Sequence, residues 1–160
     1  GLTPTRAASV ADENRTMELR RLRPPDFDRV ANYAIQGMRP HLVPLVLSRD
    51  RVLTVVAHMA SSEQDFHLVA EHEGELVGAI AAIASPMLWF ERWDATVVMC
   101  RATHPGAGAQ LVRRLMDWAR DDLRIKRVVF PMEFDAPRAM ARFLRMNGFG
   151  APQGLAVAYT

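Results

Sequence analysis

The chain has 160 residues, 49% of them apolar and 24% charged, with a formal net charge of +2. That length suits one domain with a sizeable core. The basic residues, all arginine except Lys126, are spread along the chain among acids, which argues against a specific nucleic-acid surface. No apolar run approaches the ~18 residues of a membrane span. Cys100 is the single cysteine, which excludes an intrachain disulfide and fits a reducing compartment.

Residues 1–16 lack the apolar stretch of a secretory signal and read as a flexible leader before a single domain over 17–160. A cytoplasmic protein is therefore expected. Residues 17–22 alternate weakly, as a first strand. A helix follows, with Asp26 as N-cap and Phe27, Val30, Ala31, Ala34, Ile35 and Met38 at helical spacing. Pro40 and Pro44 interrupt the chain before a second helix that starts near Ser48 or Asp50. Residues 66–71 and 76–84 form a hairpin turning at Glu73-Gly74. An aromatic connection, Met87, Leu88, Trp89, Phe90 and Trp93, is either packed on the molecule or across a dimer, or a surface for another partner. Residues 95–101, "ATVVMCR", are apolar without alternation, which predicts a strand buried on both faces.

The next helix is the best marked. Leu111, Val112, Leu115, Met116, Ala119 and Leu123 share one stripe, with arginines and aspartates elsewhere. "KRVVFPM" is a strand. Asp135 caps a last helix carrying Pro137 in its first turn, and Gly148 is its left-handed stop. "GLAVAYT" is a final strand. The order β-α-α-β-β-β-α-β-α-β predicts an α/β fold. Its sheet is mixed and mostly antiparallel, with a parallel β-α-β crossover at its centre and helices on both faces.

Ligands of such sheets sit beyond the carboxyl ends of the strands. There, "THPGAGAQLV" places Gly106 and Gly108 where a strand hands over to a helix. Backbone N–H groups before a helix, with the positive end of its dipole, make an anion cradle. Glycines permit φ > 0 and carry no Cβ to block a phosphate. The same letters also fit a plain tight turn. A Walker A loop is excluded because no lysine follows Gly108, and a dinucleotide fingerprint because Leu111 stands where a small residue is needed.

Strand, "THPGAGAQLV", amphipathic helix, strand and "RFLRMNGF" together resemble the GNAT superfamily of acyl-CoA N-acyltransferases. The loop of that family reads [QR]-x-x-G-x-[GA], with an aliphatic pair soon after. Gly106 and Gly108 match its small positions, Leu111-Val112 its aliphatic pair, and residues 142–149 its closing helix and Gly-Phe pair. The likeness covers about nine tenths of the chain in element order; a weaker one is to GNAT-like proteins of bacteriophages, which would allow a virion location. The resemblance implies acetyl-CoA as co-substrate and an amine, small or on a protein, as acceptor. It implies that the backbone around Thr103, His104, Gly106, Ala107, Gly108 and Ala109 holds the pyrophosphate. It also implies that Val98, Met99 and Cys100 pair with the pantetheine arm, with an N–H of Met99 or Cys100 facing the thioester oxygen.

Two positions depart from the family pattern. Thr103 replaces the usual Gln or Arg, and Leu144 stands where many members carry a tyrosine that protonates the departing thiolate. Loss of such an acid costs ~10²–10⁴-fold. This leaves a second reading, a GNAT-fold binding or assembly module without turnover. Glu91, Asp94, Glu133, Asp135, His67 and Glu71 are the candidate bases, each also readable as an ordinary surface group. Glu133 ranks first, because it follows a strand at its ligand end. His104 is a phosphate contact or an exposed turn residue. Histidine spacing predicts no metal site. Cys100, with no histidine in its motif, reads as a small core residue rather than a nucleophile.

Overall fold

The computed structural model describes residues 17–38, 47–131, 138–150 and 155–160. The expected leader, Pro40, Pro44, Glu133, Asp135 and Pro137 lie outside them. The elements are β1 (Met17–Arg20), a 3₁₀ turn (Pro24–Asp26), α1 (Phe27–Gly37), α2 (Arg49–Ser61), β2 (Phe66–His72), β3 (Glu75–Pro86), β4 (Trp93–Ala102), α3 (Ala107–Asp121), β5 (Ile125–Pro131), α4 (Arg138–Met146) and β6 (Leu155–Tyr159). All six strands form one sheet in sequence order. Every pairing is antiparallel except β4–β5, the parallel pair bridged by α3.

The local chemistry explains most boundaries. At the β2–β3 turn, Glu73 and Gly74 both have positive φ, at 52° and 80°, which matches the right-handed twist of a hairpin. Ser48 caps α2, its hydroxyl accepting from the Arg51 N–H at 3.3 Å. Gly148 ends α4 at φ 87°, and the Phe149 N–H returns to the Leu144 carbonyl. Asp26 takes the N-cap position of α1, but its side chain makes no cap hydrogen bond. Its carboxylate is buried and held by the Arg20 guanidinium at 2.7 and 2.9 Å and by the Arg23 N–H at 2.9 Å. The ion pair claims the oxygens that a cap would need.

Two apolar layers sandwich the sheet. On one face, Leu111, Val112, Leu115 and Ala119 of α3 are wholly buried against Leu68, Ile80, Ala95, Val97 and Val128, joined by Leu144 and Phe149. Gly78 on β3 permits this approach, because a Cβ there would lie 2.8 Å from the Leu111 side chain. Leu123 departs from the expected stripe: it follows the end of α3 and is exposed. On the other face, Val30, Tyr33 and Val56 of α1 and α2 meet Val69 and Ala79.

The aromatic connection does not pack on the molecule as one cluster. Leu88, Trp89 and Phe90 are 84%, 83% and 71% exposed, and only Trp93 reaches the core, with the Arg124 guanidinium over its ring. Burial of β4 on both faces also fails along its length. Ala95 and Val97 are buried, but Val98 is 47% exposed.

Candidate active site

The site is built where β4 leaves its partner. The β4–β5 ladder runs from Trp93↔Ile125 to Thr96↔Val129 and then stops. Beyond it, β5 continues to Pro131 beside β6, while β4 continues to Ala102 beside β3 alone. A bulge falls at the same place. Ala82 pairs with Val97 and Ala81 with Met99, so Val98 is an extra residue without a partner on β3. On the β5 side, residues 97–102 therefore have no strand partner among the described residues. Val98, Met99 and Cys100 all lie on this splayed segment.

The glycine loop closes its far end. The Thr103 N–H bonds the Val77 carbonyl at 2.8 Å, and the Thr103 hydroxyl lies 3.2 Å from that of Tyr33. Gly106 takes the N-cap position of α3 at φ 83°, a conformation suited to glycine, and its carbonyl accepts from Gln110 N–H. Within the turn, the Ala107 N–H donates to the His104 carbonyl at 3.2 Å. Among the described residues, the N–H groups of Gly106, Gly108 and Ala109 make no hydrogen bond, so three donors stand at the positive end of a 15-residue helix. The His104 ring packs against that of His72, tilted at 42° with centroids 4.4 Å apart, and its Nδ1 lies 3.0 Å from the Pro105 carbonyl.

Two residues that the motif did not point to join this end of β4. Arg101 lies over the Tyr33 ring, 4.3 Å from its centroid, and donates to the Tyr33 carbonyl at 2.6 Å, tying α1 to the strand. Burial raises the Tyr33 phenol pKa above its ordinary value, against the lowering effects of the Thr103 bond and Arg101. Tyr33, Arg101 and Thr103 line a polar cleft of about 330 Å³ with Arg29, Gln36 and Glu75. No spacing rule links Tyr33 to Arg101, which meet only because α1 packs on β4.

The candidate bases separate sharply. Asp94 lies at the start of β4, some eight residues or roughly 25 Å from the loop, and Arg127 grips its carboxylate at 2.8 and 2.7 Å. Glu91 is exposed at that same far end. Glu71 is bound by Arg29 at 2.7 Å and Arg20 at 3.0 Å, and these hydrogen bonds hold its carboxyl below the ordinary value despite burial. A carboxylate so held is a weak base. Glu133 lies outside the described residues, as does Asp135. His67 is buried, and neither ring nitrogen has a hydrogen-bond partner. Burial, chiefly, and Arg21 lower its pKa. The Met59 carbonyl opposes them weakly, being close enough to favour the charged ring but outside hydrogen-bond geometry. Burial pushes the Cys100 thiol up to about 12, so it is not a thiolate at neutral pH, and its side chain packs against the α3 core. Among the described residues, no group of three His, Cys, Asp or Glu side chains could hold a metal.

Leu144 is 1% exposed and belongs to the apolar core beneath α3. It fills core volume where a tyrosine would need a partner for its hydroxyl.

A family model for the GNAT acetyltransferases matches residues 36–149, which span the hairpin, the bulged strand, the glycine loop and α4. The chain belongs to the GNAT acetyltransferase family. Solved structures share its fold at low identity. A GNAT-family acetyltransferase from Streptococcus pneumoniae is 14% identical over 90% of this chain and 99% of that one, with a TM-score of 0.69. Arabidopsis thaliana NAA60, crystallised with acetyl-CoA, is 11% identical over 91% of this chain and 100% of its own, with a TM-score of 0.72. A ribosomal-protein-alanine N-acetyltransferase from Brucella melitensis is 18% identical over 89% and 98%, with a TM-score of 0.66. These come from bacteria and a plant and lend nothing to the phage likeness. No curated protein sequence matches significantly. Acetyl-CoA is the co-substrate consistent with a GNAT domain and with such complexes. Among the described residues, no helix of this GNAT protein is long and apolar enough to cross a membrane.

Proposed function

We propose that the protein is an N-acetyltransferase that moves the acetyl group of acetyl-CoA to an amine. The observation that carries this reading is the coincidence at one strand end of unpaired loop amides, the β4–β5 splay and the Val98 bulge. Acetyl-CoA supplies an acyl thioester and, as the acetyl group departs, a thiolate.

The chain's own groups then have separable tasks. The N–H groups of Gly106, Gly108 and Ala109 hold the diphosphate, with the α3 dipole behind them. Ala107 contributes shape rather than a donor, since its N–H closes the turn. Thr103 replaces a longer polar side chain and instead pins the loop to β3 and Tyr33. The main chain of residues 98–100 offers strand-like hydrogen bonds to the pantetheine arm, and the N–H of Met99 or Cys100 stabilises negative charge on the thioester oxygen. With Leu144 unable to donate a proton, the amine's own proton or water reaches the thiolate.

Ala109→Glu tests the cradle without a confounding loss of fold. A carboxylate in the first turn of a helix favours the helix by ~0.3–1 kcal/mol, yet it repels a diphosphate. Coenzyme A affinity, measured by calorimetry, is expected to fall at least ~10-fold, about 1.4 kcal/mol, with the thermal midpoint not lowered. Equal affinity in the variant overturns the assignment.

The buried Leu144 and the exposed Leu88-Trp89-Phe90 patch favour a second reading, a module that binds or assembles, with oligomers forming through that patch, without turning over. Release of free thiol above background with any amine rejects it.

A further inference from the structure

The face of the sheet opposite α3 carries a cavity of about 390 Å³ between α1, α2 and strands β2 to β4. Its walls include Val30, Ala34, Val52 and Val56 from the helices and Ala81 and Ile83 from β3, and it ends on Val98 and Met99, at the bulge. The register fixes how its floor lies. His67 pairs with Ala81 and Ala81 with Met99, so these three share one row on one face. Two strand spacings, roughly 10 Å, separate the ends of that row.

The lining is unusual for its charge. Among the described residues, α1, β3 and β4 contribute no ionisable side chain to it. Arg51 comes from α2, and His67 from β2. Burial and Arg21 lower the His67 pKa, so the ring is neutral at pH 7. Among the described residues no carboxylate lines it, and Glu71, further along β2, is committed to Arg20 and Arg29. Among the described residues no lining side chain carries the negative charge that would compensate an ammonium group, and Arg51 opposes one. An amine entering such a space loses hydration without gaining a counter-charge, which favours its neutral form. The neutral form is the nucleophile.

We propose that this cavity is the acceptor site, and that it selects a primary amine with an apolar body and no second charge, taken up as the free base. The proposal rests on the acetyltransferase reading. The proton of RNH3⁺ goes to solvent before entry. The nitrogen lone pair then forms the C–N bond to the acetyl carbon of acetyl-CoA as the C–S bond breaks. The nitrogen's surplus proton leaves with the thiolate, so the products are RNHCOCH3 and free thiol. No carboxylate base is required, because desolvation performs the deprotonation that such a base would otherwise perform.

Hexylamine and 1,6-diaminohexane separate this reading from others, because they match in reach and differ by one charge. With acetyl-CoA present, kcat/KM is expected to be at least ~100-fold higher for hexylamine. Its pH profile is expected to rise until the acceptor's own pKa, with the midpoint moving down for benzylamine, a less basic probe. Val55→Asp places a carboxylate on a half-exposed rim position of α2, where folding tolerates it. It is expected to narrow the preference at least ~10-fold. A diamine that equals hexylamine, or a midpoint in the carboxylate range shared by all acceptors, overturns the proposal.

Direct binding of the two amines to the full chain, followed by NMR shifts with and without coenzyme A, distinguishes the failures. Coenzyme A binding without any hexylamine binding removes the acceptor assignment and leaves the acetyl-CoA site standing. Hexylamine binding at the 98–99 end without coenzyme A binding retains the cavity's ligand class and removes the transferase reading.

Discussion

The two faces of this sheet use similar residues to opposite ends. Under α3, Leu111, Val112 and Leu115 have no exposed surface, and Leu144 and Phe149 complete the layer. Under α1 and α2, the wall residues are equally apolar, but Val55, Ile83 and Val98 remain exposed around an open cavity, and the buried His67 has no hydrogen-bond partner. One face has its space filled, and stability follows from that. The other leaves space unfilled beside the bulged end of β4, where the β4–β5 ladder has stopped. Apolar composition therefore does not distinguish packed core from cavity wall; whether the space between helix and sheet is filled does.

The sharpest way to break this contrast is to truncate one residue on each face. Leu115→Ala, at a site with no exposed surface, is expected to cost about 3–5 kcal/mol, seen as a lower urea midpoint, whereas Val55→Ala is expected to change stability by less than ~0.5 kcal/mol. Equal costs would mean the second face is packed core as well.

The polar anchor of α1 comes next in size. Asp26→Asn leaves Arg20 short of its main partner in a part-buried place and is expected to cost about 3 kcal/mol. The same pair sets an acid limit. Arg20, with help from the Arg23 N–H and against burial, lowers the Asp26 carboxyl from 3.8 to about 2. A depressed acid contributes stability above its unfolded pKa, and that stability is lost as pH falls through the folded one. The wild-type chain is therefore expected to lose about 2 kcal/mol between pH 4 and pH 2 beyond what the Asn variant loses. Parallel denaturant titrations at those two pH values measure it.

A smaller loss belongs to the capped start of the helix that walls the cavity. Ser48→Ala removes the N-cap of α2 and is expected to cost about 1 kcal/mol. If the cavity depends on a well-seated α2, hexylamine binding weakens with it while coenzyme A affinity holds.

Much of this architecture was legible in the residues. The α3 stripe from Leu111 to Ala119, the turn at Glu73-Gly74, the Ser48 cap and the Gly148 stop each rest on chemistry within a few positions, where backbone geometry and side-chain spacing decide the outcome. The element order carried the fold class, and short-range glycine chemistry carried the loop. What escaped needed distant partners. Asp26 looked like a cap until Arg20 from the neighbouring strand took its oxygens. Met87 to Trp93 read as one apolar cluster, yet only Trp93 finds the core. Asp94 and Glu71 ranked as bases until Arg127, Arg29 and Arg20 claimed them.

By itself, then, the order of residues determined the helices, the hairpin and the position of the glycine loop, because each is settled by interactions a few bonds or one helical turn apart. The bulge at Val98, the parting of β4 from β5, the Arg101–Tyr33 stack and the apolar cavity were decided only in three dimensions. Each depends on which surfaces meet across tens of residues, and on the space left where a helix and a strand do not close completely.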